Sequence, residues 1–169
     1  VAAELRKEGL ATLLFDLLTE REDSDYKRRF DIDLLTERLE ATTEWLRKNV
    51  ETSSLSIGYF GASTGAAAAL KAAAALGHEI GAVVSRGGRV DLAESVLGEV
   101  GAPTLLIVGE NDDAVLELNR RAYELLQGEK KLAVVAGATH LFEEPGALEE
   151  VARLSAAWLK KYLRHAGHA

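Results

Sequence analysis

The chain has 169 residues, a length that suits one domain, and its 47% apolar and 28% charged residues are ordinary for a soluble globular fold. A net charge of -7 disfavours nucleic acid and anionic membrane surfaces as partners, and no apolar run approaches the ~20 residues that span a bilayer. The absence of cysteine removes disulfides, thiolate metal sites and cysteine nucleophiles together.

Methionine is absent even at position 1, and the opening "VAAELRKEGLATLLFDLL" starts in a helical pattern that Gly9 is placed to cap, so the expectation is a chain without its natural N-terminus. No basic start, apolar core and small-residue cleavage site is visible, and the expected location is cytoplasmic. Thr12 to Leu18 reads as the first strand. The densely charged "TEREDSDYKRRFDID" that follows, residues 19 to 33, is expected to be a solvated loop or the rim of a cleft. Leu35, Leu39, Thr42 and Leu46 recur at helical spacing beside Glu37, Arg38, Glu40 and Arg47, which predicts one buried helix stripe.

Leu55 to Phe60 is the next predicted strand, and it runs into Gly-Ala-Ser-Thr-Gly, residues 61 to 65, and then into an alanine-rich helix. A serine boxed by glycines between strand and helix fits a nucleophile elbow, a sharp turn in which Gly61 and Gly65 avoid clashes and the helix N-terminus faces a developing oxyanion. Ser63 is then the candidate nucleophile, and the Thr64 N–H one oxyanion donor. The competing reading is an ordinary tight turn, with the alanines serving close packing of helix on sheet.

The strand Ala82 to Ser85 leads into "SRGGRVD", residues 85 to 91, read as a turn at the cleft rim with Asp91 capping a helix, or as an anion-binding loop. Pro103 introduces the strand Thr104 to Val108, after which Asp112 and Asp113 stand in a turn. One is expected to act as the orienting acid and the other to cap the helix near Ala114; Asp112 is favoured as acid and Asp113 as cap. Gly128 is read as a helix C-cap before the strand Leu132 to Val135, and His140 lies in the loop beyond it. His78 follows a helix end and His165 and His168 belong to a terminal tail, which leaves His140 as the candidate base. Leu148, Val151, Ser155, Trp158 and Tyr162 mark the last helix.

Apolar strands alternating with amphipathic helices predict an α/β fold: a three-layer α/β/α sandwich about a mostly parallel sheet, as a single domain over residues 1 to 169. Serine, acid and histidine follow in that order, each just after a strand, as a Ser-His-Asp site on such a sheet requires. The implied activity is hydrolysis of a small ester, lactone or thioester through an acyl-enzyme, with no metal or organic cofactor. The alternative is a non-catalytic module that binds a partner domain or small ligand. A nucleotide-binding reading lacks a G-x-G-x-x-G or P-loop pattern.

The blocks "IGYFGASTGAAAAL", "GAVVSRGGRVDLA", "APTLLIVGENDDAVLELN" and "GATHLFEEPGALEEVARLSAAWL" resemble the α/β-hydrolase superfamily, and within it the dienelactone hydrolase-like proteins. The combination looks like the hydrolase-type domain found alone or beside a phosphoribosyltransferase domain, so a domain of that kind, or a second copy of this chain, is the expected partner. The resemblance implies Ser63 as nucleophile, Asp112 as acid and His140 as base. It departs from dienelactone hydrolase itself, whose nucleophile is a cysteine, so that enzyme's substrate does not carry over. Such proteins also have an early strand with a glycine-rich turn supplying a second oxyanion donor, expected here in residues before Val1.

Overall fold

The computed structural model describes residues 1–163, so His165 and His168 lie outside the described residues. Four strands, β1 (Ile57–Ala62), β2 (Ile80–Arg86), β3 (Thr104–Gly109) and β4 (Lys130–Val135), pair in parallel in the order in which they occur in the chain. Parallel neighbours require crossovers, and those between these strands run over one face of the sheet, while helices before β1 and after β4 cover the other. One face carries α3 (Ile32–Lys48), α4 (Thr64–Leu76) and α5 (Asp113–Leu125); the other carries α1 (Ala2–Lys7) and α6 (Ala147–Tyr162). This is the expected three-layer α/β/α arrangement.

Burial follows from that sandwich. All six residues of β3 are buried, because helices cover both sides of it. The first core joins Tyr59, Val83 and Leu106 to α3 and α4, where Ala66 to Leu70 are at most 2% exposed and the small side chains let the helix lie close on the sheet. Tyr59 carries its hydroxyl into this core against Thr43 Oγ1 at 2.7 Å, and burial raises its pKa to about 12. The second core, on the other face, joins Val84, Leu105 and Ile107 to Phe142, Val151 and Leu159.

Several expectations change at the periphery. Thr12 to Leu18 is not a strand: among the described residues no neighbour pairs with it, and Leu13, Leu14 and Phe15 are 50%, 69% and 43% exposed. A strand is defined by its ladder, so β propensity alone does not make one. Residues 19 to 33 are not an open loop but contain α2 (Glu20–Asp23), begun by a capping box between Thr19 and Glu22, and a 3-10 helix over Tyr26–Phe30. Thr36 and Thr43, not Thr42, are the buried threonines of α3, and Leu148 of α6 is 43% exposed. Gly9, with φ 82, does follow the end of α1, whereas the α5 C-cap is Leu126 and Gly128 instead packs against the Gly101 backbone.

Candidate active site

Ser63 is the residue between β1 and α4, with φ 50 and ψ -121. Positive φ for a residue with a Cβ is strained by about 1–3 kcal/mol and persists only where its surroundings over-determine it. They do so here from both sides. The Ser63 N–H donates to Arg86 O at 3.2 Å, and Ser63 O accepts from the Arg89 N–H at 3.0 Å. The turn after β2 therefore brackets the peptide groups of the serine.

The two glycines of the motif differ in purpose. A Cβ on Gly61 would stand 2.7 Å from Ala66 N and closer still to Gly65 O, so the start of α4 presses backbone against backbone and only glycine fits. A Cβ on Gly65 would meet nothing within 4 Å. The expectation that both relieve the turn is corrected: Gly61 alone does. Thr64 is the first residue of α4, where amides lack intrahelical acceptors and the helix dipole favours negative charge.

Asp112 and His140 come together across loops distant in sequence. Asp112 is the N-cap residue of α5, but its side chain makes no capping bond; Oδ2 lies 2.6 Å from His140 Nδ1 instead. Asp113 is the first helical residue rather than the cap, which corrects the assignment made from the sequence. The loops are laced together by Asn111 N–H to Ala138 O and Asn111 Nδ2 to Gly137 O, both at 2.9 Å, and by the Gly137 N–H to Glu110 Oε2 at 2.7 Å. Gly109 allows the crossing, since a Cβ there would come within 2.7 Å of Thr139 O.

An ionised carboxylate only accepts hydrogen bonds, so Nδ1 of His140 donates to Asp112 and Nε2 of the neutral ring is left with a lone pair. The acid is shielded at 13% side-chain exposure, while the imidazole is reachable at 40%. The His140 ring packs beside the turn after β2: a Cβ on Gly87 would touch it at 3.4 Å, and Gly87 follows the Arg86 whose carbonyl accepts from the Ser63 N–H. Among the described residues, no hydrogen bond joins Ser63 Oγ to His140, whose side-chain hydrogen bond is the one to Asp112.

Sequence reasoning missed how much the turn "RGGR" contributes. Its basic residues differ: Arg89 is ion-paired with Asp91 at 2.7 Å, so Asp91 caps no helix, and N-cap Arg89 begins a 3-10 helix over Val90–Glu99. That pairing holds the Asp91 carboxyl below the usual carboxylate range. Arg86 has no carboxylate within ion-pair distance among the described residues; it lies 5.6 Å over the Phe142 ring, and desolvation lowers its pKa. Phe142, two residues beyond His140, is buried and has φ 58, a second strained position in the same loop.

Residues 3–164 match the family model described as the Dienelactone hydrolase family. Over 163 residues the chain is 57% identical to a protein of Mycobacterium tuberculosis (strain ATCC 25618 / H37Rv) that is named as a phosphoribosyl transferase, covering 96% of this chain and 37% of that protein. The chain thus spans little more than a third of that relative. The crystal structure of a dienelactone hydrolase from Anabaena variabilis superposes with a TM-score of 0.92 at 54% identity, covering 96% of this chain and 77% of that one. The esterase domain of a Rhodothermus marinus protein shares the fold with a TM-score of 0.64 at 19% identity, over 78% of this chain and 70% of that one.

Proposed function

The chain belongs to the dienelactone hydrolase family, and from that premise we propose that it is a serine hydrolase acting on a small ester, lactone or thioester. The observation that carries the reading is the 2.6 Å contact between Asp112 Oδ2 and His140 Nδ1, which leaves Nε2 as the basic nitrogen of a ring packed on the turn that brackets a strained serine at a helix N-terminus. Ser63 Oγ attacks the substrate carbonyl carbon while its proton passes to His140 Nε2. Asp112 stabilises the imidazolium and keeps its orientation. The Thr64 N–H donates to the oxyanion of the tetrahedral intermediate. Collapse expels the leaving alkoxide or thiolate, which takes the proton from His140, and the acyl group remains on Ser63. Water then attacks the acyl-enzyme by the same route, giving the acid and free serine.

Serine needs this assistance because its hydroxyl is a weak nucleophile at neutral pH. The second reading, a non-catalytic module, draws on the absent Ser63–His140 hydrogen bond and on the greater length of the mycobacterial relative. A neighbouring domain of phosphoribosyltransferase type is the partner that relative's name suggests for a longer chain.

A fluorophosphonate probe separates the two readings, because it phosphonylates only an activated serine. Wild-type protein is expected to label and to release p-nitrophenol from p-nitrophenyl acetate, and Ser63→Ala to lose labelling and about 10³-fold or more of the turnover. Labelling retained in Ser63→Ala overturns Ser63 as the nucleophile, and none in a folded wild-type sample overturns the hydrolase reading for this chain.

A further inference from the structure

Asn119 is completely buried on α5, between Leu116 and Ala122 on the face that packs inward. Its Nδ2 donates to Val115 O at 2.8 Å within the helix and to Gly88 O at 3.0 Å across the layer, while Oδ1 has no partner. The two carbonyl acceptors fix the orientation of the amide, since the reverse would set oxygen against oxygen. A leucine would fill the same space without burying an unsatisfied oxygen. What the amide alone supplies is the tie to Gly88.

Gly88 is the centre of the turn that brackets Ser63. Before it, Arg86 O receives the Ser63 N–H; after it, the Arg89 N–H donates to Ser63 O. The turn is also pressed onto the elbow, because a Cβ on Gly88 would stand 2.8 Å from Ala66 Cβ and nearer still to Ser85 Oγ. A chain of three hydrogen bonds therefore runs from Asn119 through Gly88 to both peptide groups of a serine whose φ is 50. Asn119 lies about two turns along α5 from Asp112. One helix thus carries the residue that orients His140 and the residue that holds the nucleophile's turn.

We infer that Asn119 is a positioning residue for Ser63, keeping the Arg86–Arg89 turn closed on the serine backbone so that Oγ stays within reach of His140. The inference rests on the reading of Ser63 as nucleophile, but the clamp itself is visible without turnover. Strained backbone relaxes when a restraint is removed, and a displacement of about 1 Å at a reacting atom can lower a rate a hundredfold.

Two variants isolate the tie. Asn119→Leu removes both the donor and the orphan oxygen at similar volume. Asn119→Ser keeps a hydroxyl able to bond Val115 O, as serines in helices do, but is too short to reach Gly88, and it serves where the leucine variant does not fold. Either variant is expected to lower kcat for p-nitrophenyl acetate and the fluorophosphonate rate constant by about tenfold to a hundredfold, with KM changed by less than about twofold. In both, hydrogen exchange at the Ser63 and Arg89 amides should accelerate while exchange in β3 keeps its wild-type rate. Wild-type kinetics and exchange in the variants overturn the inference. So does a loss accompanied by equal acceleration throughout β3, which marks general destabilisation. If wild-type protein does not label at all, the hydrolase reading falls, and exchange at Ser63 and Arg89 still decides whether the clamp exists.

Discussion

The carboxyl edge of β1, β2 and β3 and the segment over residues 10 to 30 are built in opposite ways. At the edge, shape is set by close contacts that leave no room for a further side-chain carbon: Gly61 on the Ala66 backbone, Gly88 on Ala66 Cβ, Gly109 on Thr139 O. In the segment, Leu13, Leu14, Phe15 and Tyr26 face solvent, and its described attachments include the Arg38–Glu22 ion pair at 2.6 Å and Arg38 Nη1 to Leu17 O at 2.7 Å. Contacts at van der Waals limits have little room to adjust, because protein interiors are close-packed. Ion pairs at a surface can exchange for water at little cost. The site therefore belongs to the rigid region, and sensitivity to substitution should fall steeply from the one to the other.

The largest effect is expected at Asp112. In Asp112→Asn, the side chain can present its NH2 to the ring and stabilise the tautomer that carries the proton on Nε2, removing the base without changing shape. Fluorophosphonate labelling should slow by up to about 10⁴-fold at neutral pH with the fold intact. A loss below tenfold would mean that His140 is oriented by something other than the 2.6 Å contact.

Next come the two glycines flanking Ser63, which the motif treats alike and the packing does not. Gly61→Ala forces a methyl onto the α4 backbone and should destabilise by about 3 kcal/mol, lowering the melting temperature on the order of 10 °C. Gly65→Ala has open space and lies in a helix, so it should stabilise by about 0.5–1 kcal/mol. Equal losses in calorimetry would show that the region is strained as a whole rather than at the Gly61 contact.

The same contrast explains what was legible in the sequence. Ser63, Asp112 and His140 could be singled out as candidates because chemistry limits the residue types and topology limits their order, each following an apolar run; of these, the structure brings Asp112 and His140 into contact. The four parallel strands were legible for the same reason, with ends displaced by a few residues. Thr12 to Leu18 was misjudged because its residues suit a strand but a ladder needs a neighbour, and a neighbour is not a local property. Asn119 and Gly88 stand 31 residues apart, and nothing in "LELNRRAYEL" distinguishes a buried clamp from an ordinary polar position. Asp112 and Asp113 were both credible as cap, and only geometry shows that the N-cap residue uses its carboxylate on a histidine.

The smallest effect tests the other end of the comparison. Glu22 accepts two hydrogen bonds from Arg38, at 2.6 and 2.7 Å, and its carboxyl pKa is lowered, first by Arg38 and then by the Thr19 backbone. A carboxyl whose folded pKa lies below its unfolded one adds stability that is fully present above the unfolded value and is lost as pH falls through the folded one. Glu22→Gln should therefore lower the melting temperature at neutral pH, by about 2 °C or less for so exposed a pair, and the gap from wild type should close in acid. Hydrogen exchange should quicken over Thr19 to Phe30, while fluorophosphonate labelling of Ser63 keeps its wild-type rate. A drop as large as that of Gly61→Ala would mean that the charged segment helps to specify the fold. A slower labelling rate would place that segment in the working cleft, as one of the two readings of residues 19 to 33 expects.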